Sequence, residues 1–303
     1  MFFESDSFHP ESLANIYPQP AFTLYTPADT AVFGKMQESL KNISSWHEPI
    51  EAIACSPITG EMQYVSYLGE RYRVYDFLDG EVENLFEQVM GCLPDYQVRL
   101  VASDEGRHNL LVEASDDRTP SSWYNYDCDS MRISLIHAPS QLQLRRYLSP
   151  VIPITFNARD NTILRGYLTL PHGVKADDAP HLHAMVIPHA FGYPADRWEY
   201  NPEVQFLANR GLAVLQVEYR DASADSTVSA DEAQQQAIHD VRDGAAWLAH
   251  SGIANPRKIF YHVHDTLPYG AADRMFRDPA IAKAIDPRQH MAFYNDMVHK
   301  ATR

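Results

Sequence analysis

Three stretches in the second half of the chain constrain its fold most strongly. HLHAMVIPHA (181–190), LAVLQVEYR (212–220) and KIFYHV (258–263) are nearly continuous apolar runs. A strand with one wet face alternates apolar and polar residues, whereas a strand buried on both faces does not. The segments between the runs carry helix punctuation. EVQFLANRG (203–211) reads as a short helix stopped by Gly211. Ser229-Ala-Asp-Glu232 forms a capping box, followed by Ile238, Val241, Ala245 and Leu248 at helical spacing and a stop at Gly252. Strands alternating with helices of this length predict an α/β unit on a mostly parallel sheet. Ahead of it, ITFNARDNTILRGYLTLP (154–171) reads as strand, Asp160-Asn161 turn and strand.

The first half has another rhythm. From Ile50 to Ser140, short β-branched or aromatic runs (EAIACSP, EMQYVSYLG, RYRVYDF, VRLVASD, NLLVEAS, SWYNYD, RISLIHA) are separated by turn residues such as Thr59-Gly60 and Leu78-Asp79-Gly80. Many short strands at this spacing predict antiparallel β-structure, as in propeller blades or a sandwich. One helix interrupts, EVENLFEQVMGCL, with Val82, Leu85, Phe86, Val89 and Met90 on one face. Before Ile50, PQPAFTLYTPADTAVF suggests a short strand, and FGKMQESLKNISSW fits a helical turn or a strand pair. LRRYLSPVIPIT reads as a crossing in which Pro150 and Pro153 break regular structure. Two domains are expected, a β-rich, propeller-blade-like region over 1–148 and an α/β domain over 149–303.

Composition narrows the function classes. The 303 residues carry a formal net charge of -15 spread along the chain, which argues against nucleic acid, since phosphate binding needs a basic footprint. The start MFFESDSFHPES has no basic segment followed by an apolar one, and no run approaches a membrane span. Cys55, Cys92 and Cys128 are odd in number and widely spaced, which fits reduced thiols and a cytoplasmic location better than a disulfide framework. No glycine loop that cradles phosphate and no H-E-x-x-H is present, and no cofactor is expected.

Several linked stretches resemble the S9 serine peptidases, the prolyl oligopeptidase family, and especially its acylaminoacyl-peptidase and dipeptidyl-aminopeptidase-like branch. VASDEGRHNLLVEASDDRTPSSWYNYDC is similar to the end of that family's propeller. ITFNARDNTILRGYLTLPHGV, QFLANRGLAVLQVEYR and HDVRDGAAWLAHSGIANPRKI follow in the family's order. The likeness runs from about Ile50 to Pro279. It implies a partial β-propeller-like N-terminal region followed by an α/β-hydrolase domain, and peptides as the substrate class.

The departures from the family matter as much. Its elbow reads rI.i.G.SyGGya, followed by rdP. KIFYHVHDTLPYGAADRMFRDP aligns without a gap, with Lys258-Ile259 on rI and Arg277-Asp278-Pro279 on rdP. Asp265 then occupies the nucleophile position, and Val263 and Leu267 replace the elbow glycines. A nucleophile elbow is a strained strand-to-helix turn in which glycine lets the backbone crowd, so Val263 and Leu267 add carbons where there is no room. An aspartate can act as a nucleophile, but Pro268 breaks the start of the helix that would present it. The later acid and histidine of the Ser…Asp/Glu…His order are expected well over a hundred residues on. Only 267–303 follow Thr266, so the domain is expected to be truncated. In a second register HDTLPYGAADRM resembles the family's later acid loop and RQHMAFYNDMVHKATR its last helix, which would make Asp265 a triad acid beyond an internal deletion. Neither register supplies a nucleophile. The family's H-G-G-P oxyanion loop becomes His189-Ala190-Phe191-Gly192-Tyr193-Pro194, so His189, Ala190, Phe191, Gly192 and Tyr193 are the oxyanion-loop candidates.

Two H-x-H pairs, His181/His183 and His262/His264, place imidazoles on one face of a strand, a spacing that suits metal ligation. In the family's fold the first pair starts its strand and the second ends a neighbouring parallel one, so they lie apart. His189, His264 and Asp265 are the candidate metal trio at the carboxyl edge, and edge histidines without a ligand are the plainer reading. For Arg220 the plainer reading is a strand-end arginine pairing with a carboxylate, and for Ser229 a helix cap. The resulting expectation is a degenerate or fragmentary S9-type chain without serine-hydrolase activity. A non-catalytic scaffold and a metal-dependent hydrolase are the alternatives. The cut sheet implies a homo-oligomer or a protein partner at the edge of KIFYHV.

Overall fold

Residues 10–26, 29–40, 50–69, 71–139, 145–179, 181–189, 197–220, 227–262 and 284–285 are described by a computed structural model. The chain divides into two units, Met1–Arg145 and Arg146–Arg303.

The first unit is antiparallel. Strands β1 (Gln19–Pro20) and β2 (Thr23–Tyr25) precede helix α1 (Thr30–Leu40). Then come β3 (Ile50–Cys55), β4 (Met62–Leu68), β5 (Arg73–Phe77), helix α2 (Gly80–Cys92), β6 (Gln97–Ser103), β7 (Asn109–Ser115), β8 (Ser122–Asp127) and β9 (Arg132–His137). They form two open sheets, one in the order β2-β3-β4-β5 and the other β1-β6-β7-β8-β9. Of the stretch FGKMQESLKNISSW, residues 33–40 are helical, within α1, and 41–46 lie outside the described residues. Asp79 starts α2 by accepting from the Glu81 and Val82 backbone N–H groups, at 2.9 and 3.3 Å. Val82, Phe86 and Val89 of α2 enter a core shared by both sheets, with Tyr64, Val112 and Tyr126. Met90 departs from the expected buried stripe and is 45% exposed. The interior arc is spanned by positions 82, 86 and 89, and Met90 lies beyond it.

In the second unit β10 (Val151–Asn157) and β11 (Ile163–Thr169) form a hairpin, followed by β12 (Leu182–Pro188), α3 (Pro202–Asn209), β13 (Leu212–Glu218), α4 (Ala230–His250), β14 (Ala254–His262) and the short β15 (Ala284–Ile285). The sheet order is β10-β11-β13-β12-β14-β15. β12 runs parallel to β13 and β14, β14 runs parallel to β15, and β10, β11 and β13 pair antiparallel. The sheet is therefore mixed. Pro153 does not break structure as expected. It lies inside β10, an edge strand, where a residue without an N–H costs no ladder bond on the outer side.

The continuous apolar runs are buried on both faces, as their composition dictates. Ala184, Val186, Leu215 and Val217 face α4. Met185, Ile187, Leu212 and Val214 face α3. The capping box at Ser229 and Glu232 is formed in both directions. Gly211 and Gly252, at φ +87° and +76°, take the left-handed conformation that ends each helix. Among the described residues no helix is long and apolar enough to cross a membrane.

Candidate functional site

Open α/β sheets bind ligands outside the carboxyl ends of their parallel strands, where successive connections turn to opposite sides. Here β12 leads through α3 to β13 on one side, and β13 leads through α4 to β14 on the other. The switch point is therefore the carboxyl end of the β12–β14 pair. His189 follows β12 there, and His262 ends β14.

His189 is 2% exposed. Its ring stacks on Tyr219, with centroids 4.0 Å apart and planes at 19°. Its backbone N–H donates to the Val217 carbonyl at 3.0 Å, and Nδ1 lies 3.4 Å from the same oxygen. The imidazole is thus turned toward β13, across β12 from β14. His262 is 1% exposed, and its Nε2 lies 3.2 Å from Oε1 of Glu203, which is 26% exposed. Strand alternation explains this contact. Phe260 packs in the α3-side cluster, position 262 shares its face, and Glu203 occupies the first turn of α3. A carboxylate at a helix N-terminus is favoured by the helix dipole, and in this position it orients the imidazole below it.

The domain's start is fixed by side chains that mimic strand pairing. Gln205 donates from Nε2 to the Ser149 carbonyl at 2.8 Å and accepts from the Ser149 N–H at 2.9 Å. Trp198 Nε1 donates to the Val151 carbonyl at 2.9 Å.

Arg220 has the structural role expected of it. It forks onto Asp240 of α4, with Nε to Oδ2 at 2.9 Å and Nη2 to Oδ1 at 2.6 Å. It also reaches Asp160 at 2.7 Å and Thr162 at 3.0 Å in the β10–β11 turn. Asp240 is fully buried, and one turn on Asp243 forks onto Arg159. The hydrogen bond from Arg220, then the Thr162 backbone N–H, holds the Asp160 carboxyl at about 2. Asp240 raises the basicity of Arg220 against the opposing effect of burial. The sequence displayed these charges without their pairing, because each partner comes from a distant element. The same is true of Glu203 with His262.

His183 lies at the start of β12 and His262 at the end of β14. His183 pairs with Leu212 at the start of β12, while Tyr261, next to His262, pairs with Val186. Burial, and then Lys258, lowers the pKa of His183. Ala190, Phe191, Gly192, Tyr193, His264 and Asp265 lie outside the described residues, so two members of the metal trio and the nucleophile position are among them. Among the described residues no group of three His, Cys, Asp or Glu side chains is placed to hold a metal ion.

No family model matches the chain. A dipeptidyl aminopeptidase BIII of Pseudoxanthomonas mexicana is 27% identical over 215 residues, which is 67% of this chain and 30% of that protein. A dipeptidyl peptidase family member 6 of Caenorhabditis elegans is 24% identical over 196 residues, covering 57% of this chain and 26% of that protein. The chain thus spans less than a third of the length of these curated relatives. Among solved structures a prolyl endopeptidase superposes with a TM-score of 0.54 at 12% identity, over 73% of this chain and 32% of the other. At that identity the likeness speaks for the fold. A chain matched in fold by a prolyl endopeptidase, and in sequence by a dipeptidyl aminopeptidase and a dipeptidyl peptidase family member, is related to the S9, prolyl oligopeptidase-type, peptidase family.

Proposed function

We propose that the chain keeps the propeller-like sheets and the first strands of the α/β-hydrolase domain of an S9 peptidase, without serine-hydrolase chemistry. Peptides are the ligand class, because the relatives in sequence are named as dipeptidyl peptidases. One observation carries this reading. β14, parallel to β12 at the switch point, leads into Val263-His-Asp-Thr-Leu267, where the family places G-x-S-x-G. In that alignment the sequence has Val263 and Leu267 where the family's elbow has glycines, and Asp265 where it has serine. His262 supports the reading, since Glu203 and burial commit its imidazole to the interior.

The test is an activity probe on the whole chain. A fluorophosphonate reagent leaves every serine unlabelled, and Asp265→Asn leaves peptide and ester turnover at background. Stoichiometric labelling of any serine, or turnover abolished by Asp265→Asn, overturns the reading.

A binding role through the sheet edge is the companion proposal. Among the described residues the sheet ends on the two-residue β15, which pairs with β14 at Tyr261 and His262, and strand addition at the sheet's edge would recruit a second copy or a protein partner. Sedimentation that shows a lone monomer at micromolar concentration, with no hydrophobic dye bound, counts against it.

A further inference from the structure

The two sheets of the first unit meet through their inner faces, in the core that holds Tyr64 and Tyr126. Their outer faces are where a further sheet would stack. In repeat architectures such terminal faces stay soluble only when a dedicated cap covers them.

Here the central strands of both are covered by the chain's own N-terminal segments, while Val74 on the edge strand β5 stays 53% exposed. On the four-stranded sheet, Ile53, Cys55 and Val65 lie under Phe33, Met36 and Leu40 of α1. On the five-stranded sheet, Leu111 and Trp123 lie under Leu13 and Tyr17. Strand alternation agrees with this, since positions 53, 55 and 65 oppose the inward Ala54 and Tyr64, and positions 111 and 123 oppose the inward Leu110 and Tyr126. One cover is also bonded in place, as Tyr17 donates its hydroxyl to Asn125 at 2.7 Å, and Arg107 donates to the carbonyl of Ala21 in the segment between the covers at 2.7 Å. β1 and β2 add one strand to each sheet, so the segment between the two covers is itself part of the stack.

We propose that residues 10–17 and 30–40 form an intramolecular strap that covers the centre of both outer faces and bars a further sheet, including one from a second copy, from stacking on this unit. The proposal does not depend on whether the second unit hydrolyses anything.

The cysteines test it in the full chain. Cys55 lies beneath α1, Cys92 is exposed, and Cys128 packs on the inner core. Burial raises the Cys55 pKa, which slows alkylation further. Iodoacetamide labelling, resolved for each cysteine by mass spectrometry, should find Cys92 fast and Cys55 slow in the parent. Phe33→Asp should raise the Cys55 rate about tenfold or more by local opening. It should leave Cys92 at the parent rate and bring concentration-dependent association in sedimentation. Cys128 reports wholesale unfolding. If its rate rises as well, the milder Phe33→Ala, judged by the same Cys55 and sedimentation criteria, decides. The proposal fails if Cys55 labels as fast as Cys92 in the parent. It also fails if a variant with Cys55 uncovered keeps the parent's size at every concentration.

Discussion

The two units bury their cores by different means. In the first, two antiparallel sheets meet over aromatic rings. Phe86 of α2 lies 5.3 Å from Tyr64, 4.8 Å from Tyr75 and 5.2 Å from Phe77, centroid to centroid. In the second, the centre is aliphatic and α4 lies close on the sheet. A Cβ on Gly244 would stand 2.8 Å from Cγ2 of Val217. Large rings fill a wide gap between sheets, whereas a helix reaches a flat sheet only where its contact residue is small. Both units hold carboxylates through local N–H groups and through arginines from other elements, such as Arg73 on Glu51 and Arg145 on Asp116 in the first. In the first, Asp127 is held low by the Ser130 backbone N–H and then its side chain, and backbone N–H groups prevail over desolvation at Asp79. In the second, Arg220 lowers Asp160, and Arg159 prevails over burial at Asp243. In either unit, local turns maintain the backbone contacts and the packing of distant elements maintains the arginine pairs.

The contrast can be broken at four points. Phe86→Ala removes the ring shared by the aromatic cluster and should cost about 3–5 kcal/mol. Hydrogen exchange should quicken in β4–β8 and stay unchanged in β12–β14. Equal acceleration in both units would show that they unfold as one. Asp240→Ala leaves Arg220 without its buried partner and should cost about 2–3 kcal/mol in denaturant unfolding, with exchange quickened in the β10–β11 hairpin. Gly244→Ala gains about 1 kcal/mol of helix propensity and loses roughly 1–3 kcal/mol to overpacking against Val217. A net loss of about 1 kcal/mol is expected, and a net gain would show that α4 lies farther from the sheet than the geometry places it.

The smallest effect is the pH dependence of Asp160. Its folded pKa of about 2 lies below the ordinary 3.8, so the folded state favours the ionised form. Its contribution is present above about pH 4 and is lost as pH falls toward 2. Unfolding free energies of the parent and Asp160→Asn should differ at pH 5 and converge near pH 2. Added salt should shrink the difference, because the pair is at the surface.

The sequence revealed strands most clearly where burial has a single periodicity. β12, β13 and β14 were visible as apolar runs because both of their faces are covered. β3 to β9 were visible as short runs between turn residues. The Ser229 capping box was visible because its two members are three residues apart. α1 stayed ambiguous because Phe33, Met36 and Leu40 are few and are interleaved with polar residues. Met90 was misplaced because a helical stripe gives a direction and not the width of the surface that receives it.

The site divides along the same line. The reading of Val263-His-Asp-Thr-Leu267 against the family's G-x-S-x-G rests on sequence alone, because it compares a short local string of residue types. That His189 stacks on Tyr219, that Glu203 holds His262, and that Asp240 receives Arg220 was decided by the tertiary structure. Each of these pairs joins residues from different elements. Strand order and helix crossing set their distances, and those depend on how whole surfaces pack. Local propensity and hydrophobic periodicity determined the elements of this protein. The packing of distant surfaces chose the partners of its buried polar groups.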